Sequence, residues 1–335
     1  MPDLQATTTS GTEKKLLPLD ISAAANISSQ SLLAEDPELA AVYHRLRQLD
    51  PTGVRFATVL RDTIDQLLNG EATGRYEWKT LFKTEKTHAG TVVEINLQRE
   101  FKFDDGDLMD YKIAGIDVDC KYSQSFGGWM IPPEALGNLC LLVWANDDES
   151  RWSAGLLRIE RQWLNGGKNR DLKLTIKAAH RSRIVWLHHE APLPRNILLH
   201  MTPIDSTAVF SHSSGQARLN ELFRRVQRER ISRNVVRTVA QQKDYMKRVR
   251  GNGGSRSALQ REGIIIMGDY ESHRQIARTL QLPAPREGEF VSAQVKEVNY
   301  GHPSENSVPL SGKLWALASP GDAPELAPQL PSHKR

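Results

Sequence analysis

Between Leu108 and Ser123 the chain reads Leu-Met-Asp-Tyr-Lys-Ile-Ala-Gly-Ile-Asp-Val-Asp-Cys-Lys-Tyr-Ser, two β-rich runs separated by the small pair Ala114-Gly115. This spacing predicts a hairpin closed by a two-residue loop. With Ile113 facing Ile116, the register sets Lys112 against Asp117, Tyr111 against Val118, and Asp110 across from Asp119. Period-two alternation then places Asp117, Asp119 and Lys121 on one face and Ile116, Val118, Cys120 and Tyr122 on the other. The first face is chemical and the second belongs to a core.

Like charges opposed across a strand pair are destabilising by up to roughly 1 kcal/mol, so Asp110 beside Asp119 calls for a compensating cation. Mg²⁺ suits the position, because it takes one or two carboxylates and completes its shell with water and phosphate oxygens. In phosphodiester hydrolysis it lowers the pKa of a bound water and offsets charge on the phosphate, with Lys121 orienting the water or stabilising the developing charge. The competing reading is a solvated hairpin face in which Lys112 pairs with Asp117 and Lys121 with Asp119. A lone Asp-x-Lys does not decide between them. Upstream, residues 85–103 carry Val93, Leu97 and Phe101, with Val92 beside Ile95, at helical spacing. Glu94 lies close to that stripe, and a helix laid on the hairpin would bring it to the acids. Alternatively it pairs with a nearby lysine or stays in solvent.

The net charge of +4 hides an asymmetry: residues 216–256 carry twelve Lys or Arg against Glu221, Glu229 and Asp244, a net +9, and the remainder sums to −5. Such a basic segment attracts DNA phosphates and gives salt-dependent binding. Residues 217–228 form one helical pattern, and further patterns surround 235–239 and 245–249, an order that resembles a helix-turn-helix. The run Arg248-Val-Arg-Gly-Asn-Gly-Gly-Ser-Arg256 reads as a flexible glycine-rich loop that brings cations and backbone close to phosphate. Arg218, Lys247, Arg248, Arg250 and Arg256 are the candidate DNA contacts. The alternative is a solvated charged face.

At 335 residues, with 39% hydrophobic and 25% charged residues, the chain has room for two domains with real cores. Two cysteines, Cys120 and Cys140, form no disulfide framework or zinc-knuckle spacing, which fits a reducing cytoplasm. No stretch approaches the ~20 apolar residues of a membrane span, and the N-terminus does not read as a secretion signal. The pair His188-His189 lacks convincing zinc-ligand spacing, and Trp129-Met-Ile-Pro-Pro133 either lines a DNA cleft or, as such apolar groups more often do, packs.

Residues 1 to about 37 read as a tail. Helices are expected at about 39–49 and 54–68, the second closed by Asn69-Gly70, and buried strands at 139–145 and 154–159. The class is α/β (α+β) with a mixed central sheet. Pro192 and Pro194 suggest a linker at 188–196, and the Pro-rich stretch 319–332 suggests a loose C-terminal end.

Thr84-Glu-Lys-Thr-His88, Val93-Glu-Ile-Asn-Leu97, Asp117-Val-Asp-Cys-Lys121 and Trp129-Met-Ile-Pro-Pro-Glu134 resemble the NaeI-like type IIE restriction endonucleases. The similarity continues through Gln216-Ala-Arg-Leu-Asn-Glu-Leu-Phe-Arg-Arg-Val226, Thr238-Val-Ala-Gln-Gln242, Met246-Lys-Arg-Val-Arg-Gly251 and Glu262-Gly-Ile-Ile-Ile266, covering approximately residues 38–325. The resemblance implies a PD-(D/E)xK nuclease fold over 38–187 and a winged-helix effector domain over 197–325, flanked by flexible tails at 1–37 and 326–335. It also implies catalytic residues Glu94, Asp110, Asp119 and Lys121, with Glu94, Asp110 and Asp119 as Mg²⁺ ligands. Met109 stands where the superfamily's idealised motif has proline. The implied activity is Mg²⁺-dependent cleavage of both strands of duplex DNA at a short palindrome, GCCGGC, by a homodimer, with a second DNA copy as effector. A structure-specific repair nuclease and a winged-helix DNA-binding regulator are the alternatives.

Overall fold

The structure, a computed structural model, describes residues 29–166, 172–299 and 306–331. Most of the expected N-terminal tail lies outside them, and residues 29–35 are helical. A six-stranded sheet runs in chain order: β1 (Asp104–Asp105), β2 (Tyr111–Ile113), β3 (Ile116–Ser123), β4 (Leu139–Asn146), β5 (Arg151–Arg158) and β6 (Val185–Pro192). Strands β2 and β3 form the predicted hairpin, with Tyr111 opposite Val118, Lys112 opposite Asp117 and Ile113 opposite Ile116. Ala114 and Gly115 both have positive φ, 54° and 78°, the conformation of a turn whose twist matches the strands. Ala114 is exposed and holds a Cβ where L-residues are disfavoured. Ala114→Asn, which tolerates that conformation, is expected to raise stability by about 0.5–1 kcal/mol. A urea midpoint at or below the parent's would refute it.

Strand β4 joins β3 in parallel, with Asp119 beside Cys140 and Lys121 beside Leu142, so the sheet is mixed, as expected. Its continuous apolar run is buried throughout except at Asn146, the signature of a strand covered on both faces. Trp129, Ile131, Cys140, Leu142, Trp144, Leu157 and Ile159 belong to one buried cluster. The Trp129 indole N–H donates to the Val143 carbonyl at 2.7 Å, a packing role.

Two compact units divide the chain, and they are interleaved in sequence. The first takes the described residues up to Pro51 with Phe103–Trp144 and Ser153–His189; the second takes Thr52–Lys102, Ala145–Trp152 and the described residues from Glu190 on. The first holds most of the sheet and helix α1 (Pro37–Leu49), whose Asp36 cap accepts from Leu39 N.

In the second, α2 (Val54–Leu68) ends where Asn69 turns left-handed, at the predicted stop, and packs on α3 (Lys83–Phe101) through Phe56 against Phe101. There follow α4 (Pro203–Phe210), α5 (Gly215–Arg225), α6 (Arg233–Ala240), α7 (Tyr245–Val249), α8 (Ser255–Gln260) and α9 (Glu271–Thr279). The antiparallel sheet of this unit comprises β7 (Ile264–Met267), β8 (Val291–Val298), β9 (Val308–Leu310) and β10 (Lys313–Leu317), in the order β7-β8-β10-β9. Ser214 and Ser232 cap α5 and α6. Leu219, Leu222, Phe223, Val236, Val239, Leu259, Ile266 and Phe290 share one core.

Within the same unit, the short helix Gly70–Thr73 lies directly on α6. A Cβ at Gly70 would come within 2.0 Å of Thr238 Oγ1, Glu71 pairs with Arg237 at 3.1 Å, and Tyr76 stacks on Phe210.

The C-terminal end departs from the loose tail expected from 326 onward. Ala327 N donates to Gln260 O at 2.9 Å, and Gln260 Nε2 returns a bond to Ala327 O at 2.8 Å. Docked backbone polar groups, together with burial of Ala327, outweigh the composition signal. Residues 332–335 lie outside the described residues.

His273 anchors the same strap. Its Nδ1 accepts from Gly268 N at 3.0 Å, and its Nε2 lies 3.1 Å from the Pro331 carbonyl, which fixes a neutral ring. Burial, with Arg256 adding repulsion, holds its pKa down to about 4. The unfolded chain takes up the proton first, so this contribution is complete above the ordinary histidine pKa of about 6.5 and is lost as pH falls toward 4. Between pH 7 and 4.5 the parent should lose about 2 kcal/mol more than His273→Gln. Equal losses in urea melts would refute the assignment.

Candidate active site

Strand β3 presents Asp119 and Lys121 on one face, and the loop entering β2 delivers Asp110 to them. The Lys121 ammonium donates to Asp119 Oδ1 at 2.6 Å, to Asp110 Oδ2 at 3.3 Å and to the Cys120 carbonyl at 2.9 Å. Asp110 Oδ2 also accepts from Cys120 N at 2.7 Å, which anchors the residue just outside the ladder. From β4, the Cys140 thiol donates to Asp119 Oδ2 at 3.5 Å.

Asp119 is only 4% exposed. Burial pushes its carboxyl up to about 6; Lys121 opposes the rise and Asp110 adds to it. Burial alone would lower Lys121, but Asp119 and Asp110 outweigh it and hold the ammonium above its usual range. With both acids ionised, one positive charge faces two negative ones in a site partly shielded from solvent, where charge interactions are strengthened.

The solvated-face alternative is not what forms. Lys112 pairs with Asp107 at 2.6 Å, while Asp117 accepts from the backbone N–H groups of Asp107 and Leu108 at 2.9 and 2.8 Å. Those donors hold the Asp117 carboxyl below its ordinary range and tie down the loop that leads to Asp110. Lys121 does pair with Asp119, but under cover rather than in water.

Glu94 lies half-buried on α3, in the second compact unit. Among the described residues no group of three or more His, Cys, Asp or Glu is gathered as a metal cluster. The acids brought together are Asp110 and Asp119.

The five basic candidates separate sharply. Arg218 donates to the carbonyls of Val239, Ala240, His212 and Ser213, so its guanidinium closes the end of α6 rather than facing outward. Arg256 turns inward, its Nε on the Ile266 carbonyl at 2.8 Å, and burial lowers its pKa. Arg248 is half-buried, 3.7 Å from Asp244. Lys247 and Arg250 are exposed.

Within the glycine-rich run, residues 251–253 form a turn, and Gly254 is closely packed. A Cβ on Gly254 would meet the Arg250 carbonyl oxygen at 2.5 Å and that of Arg248 at 2.7 Å, so glycine serves close packing there.

Sequence reasoning missed Cys140. Its signal was faint: a residue able to donate, inside the otherwise apolar run Leu139–Ala145.

The family model described as restriction endonuclease NaeI matches residues 40–325. The type II restriction enzyme NaeI of Lentzea aerocolonigenes is 48% identical over 304 residues, which cover 88% of this chain and 95% of that relative. No helix among the described residues is long and apolar enough to cross a membrane.

Proposed function

Because the chain belongs to the NaeI restriction endonuclease family, a family of type II site-specific deoxyribonucleases, we propose that it cuts both strands of duplex DNA at GCCGGC. Mg²⁺ is its cofactor, Asp110 and Asp119 are ligands of the ion, and Lys121 is the catalytic cation. The observation that carries this reading is the covered cluster in which Lys121 bridges Asp110 and Asp119.

The donor set fits a hard divalent cation. It offers carboxylate oxygens from Asp110 and Asp119, two acids that share a single ammonium. When bound, the ion would lower the pKa of a water and offset charge on the reacting phosphate.

All three N–H groups of Lys121 are engaged in the resting site. As the phosphate enters, Lys121 exchanges a carboxylate contact for a phosphate or water oxygen, and so places its charge where negative charge develops. Asp119 must be ionised to act as a ligand, which favours pH above about 6. Asp117 holds the 107–108 loop, and with it the approach of Asp110.

In the C-terminal half, Lys247 and Arg250, the exposed members of the five basic candidates, meet phosphates of an effector DNA copy, which must favour the active arrangement to promote cleavage. A palindromic target is matched by a homodimer in which each protomer cuts one strand. The setting is a cytoplasmic restriction-modification system.

The test is digestion of two plasmids, one with several GCCGGC sites and one with none, in Mg²⁺ or EDTA. Discrete fragments from the first plasmid alone, and only with Mg²⁺, are expected. Discrete cutting at other sequences overturns the specificity. Tight binding without cleavage in Mg²⁺ overturns the nuclease reading in favour of a regulator.

A further inference from the structure

We infer that Cys140 is a positioning residue for cleavage: its thiol holds the Asp119 carboxylate in the orientation from which that carboxylate takes the divalent cation. The inference rests on the reading of Asp119 as a metal ligand.

A carboxylate's terminal torsion is broad, so the direction of its oxygens is set by the donors that reach them. On Asp119 the Lys121 ammonium holds Oδ1 at 2.6 Å and the Cys140 thiol holds Oδ2 at 3.5 Å. These two donors differ in permanence. Lys121 is a flexible side chain that has to exchange partners during the reaction. Cys140 is fully buried on β4, in parallel register with Asp119, and its short side chain has no other place to go.

Its neighbours on that face of the strand, Leu142 and Trp144, belong to the apolar cluster, and a valine would fill the position equally well. The thiol is what lets this wall donate to a carboxylate oxygen that burial would otherwise leave poorly satisfied.

Groups that orient a metal ligand typically change metal affinity or activity by about 10–100-fold when removed. The experiment is calorimetric titration of the DNA-free, full-length protein with Mg²⁺, alongside the Mg²⁺ dependence of plasmid cleavage. Cys140→Val is expected to weaken Mg²⁺ binding about tenfold and to raise the half-saturating Mg²⁺ concentration in parallel. The cleavage rate at saturating Mg²⁺ and the melting temperature in EDTA should change far less. Cys140→Ser, which keeps a donor, should recover most of the affinity.

Parent-like Mg²⁺ affinity in Cys140→Val, with Asp119→Asn weakened, overturns the role of the thiol and leaves the ligand assignment standing. Equal affinity in the parent and Asp119→Asn overturns the ligand assignment, and the inference with it. Equal weakening in Cys140→Val and Cys140→Ser, each with a lowered melting temperature, assigns the effect to packing and also overturns the inference.

Discussion

Asp119→Asn is expected to reduce Mg²⁺-supported cleavage of a site-bearing plasmid by about 10³-fold or more while leaving the protein folded. The loss follows from the place of the side chain: it is the more deeply covered of the two acids and the one that meets both Lys121 and Cys140. An amide at this position offers the cation no charge.

The stability side runs the other way. A carboxyl raised to about 6 in the folded state, from an ordinary value near 4, stabilises the fold fully only while protonated, below about pH 4. That contribution is lost as pH rises through 6. In EDTA, therefore, Asp119→Asn should match or exceed the parent in urea midpoint at pH 7.5, and its advantage should shrink toward pH 5. Cleavage within tenfold of the parent would sink the catalytic assignment. Collapse of the variant at pH 7.5 would show instead that the carboxylate is needed to hold Lys121 and the hairpin together.

The second large effect lies in the second compact unit. Arg61 of α2, only 6% exposed, donates to Asp65 Oδ1 at 2.6 Å and to both carboxylate oxygens of Asp147, a residue with no exposed surface. Even beside that guanidinium, burial lifts Asp65 to about 6. Arg61→Leu would leave two carboxylates covered without a counter-charge, a change that costs about 3–5 kcal/mol when one partner of a buried pair is removed. At a few degrees per kcal/mol, the melting temperature should fall by roughly 10 °C. The deficit should be smaller near pH 5, where Asp65, already raised to about 6, can protonate. A loss below about 1 kcal/mol at pH 7.5 would mean that water reaches the cluster and that its charges matter little.

The hairpin is legible in the sequence because its determinants are local. A two-residue turn and a period of two fix the register, and the register fixes which side chains share a face. The pairing of Asp110 with Asp119 and Lys121 followed from that arithmetic. The neighbour of Asp119 across the next strand did not, since a parallel pair is joined through residues 124–138 and its register depends on the whole sheet. The basic segment shows a second limit. Counting charges found the right region but not the fate of each cation, because whether an arginine faces outward or closes a helix end, as Arg218 does, depends on carbonyls supplied by a different helix. Composition misled at the C-terminal end for a related reason: prolines discourage helix and sheet, yet they do not prevent a strap from docking through Ala327 and Pro331.

The seating of Gly70 and Glu71 against α6 bears on how such a protein can be recombined. A chain begun near residue 190 would carry α6 without the turn that covers it, stripping away the neighbours of Thr238, Arg237 and Phe210 at one stroke. The C-terminal half is thus not a cassette that a single crossover can transplant. Exchange between relatives would have to carry residues 52–102 along with it, so helices far apart in the gene are bound to a common inheritance.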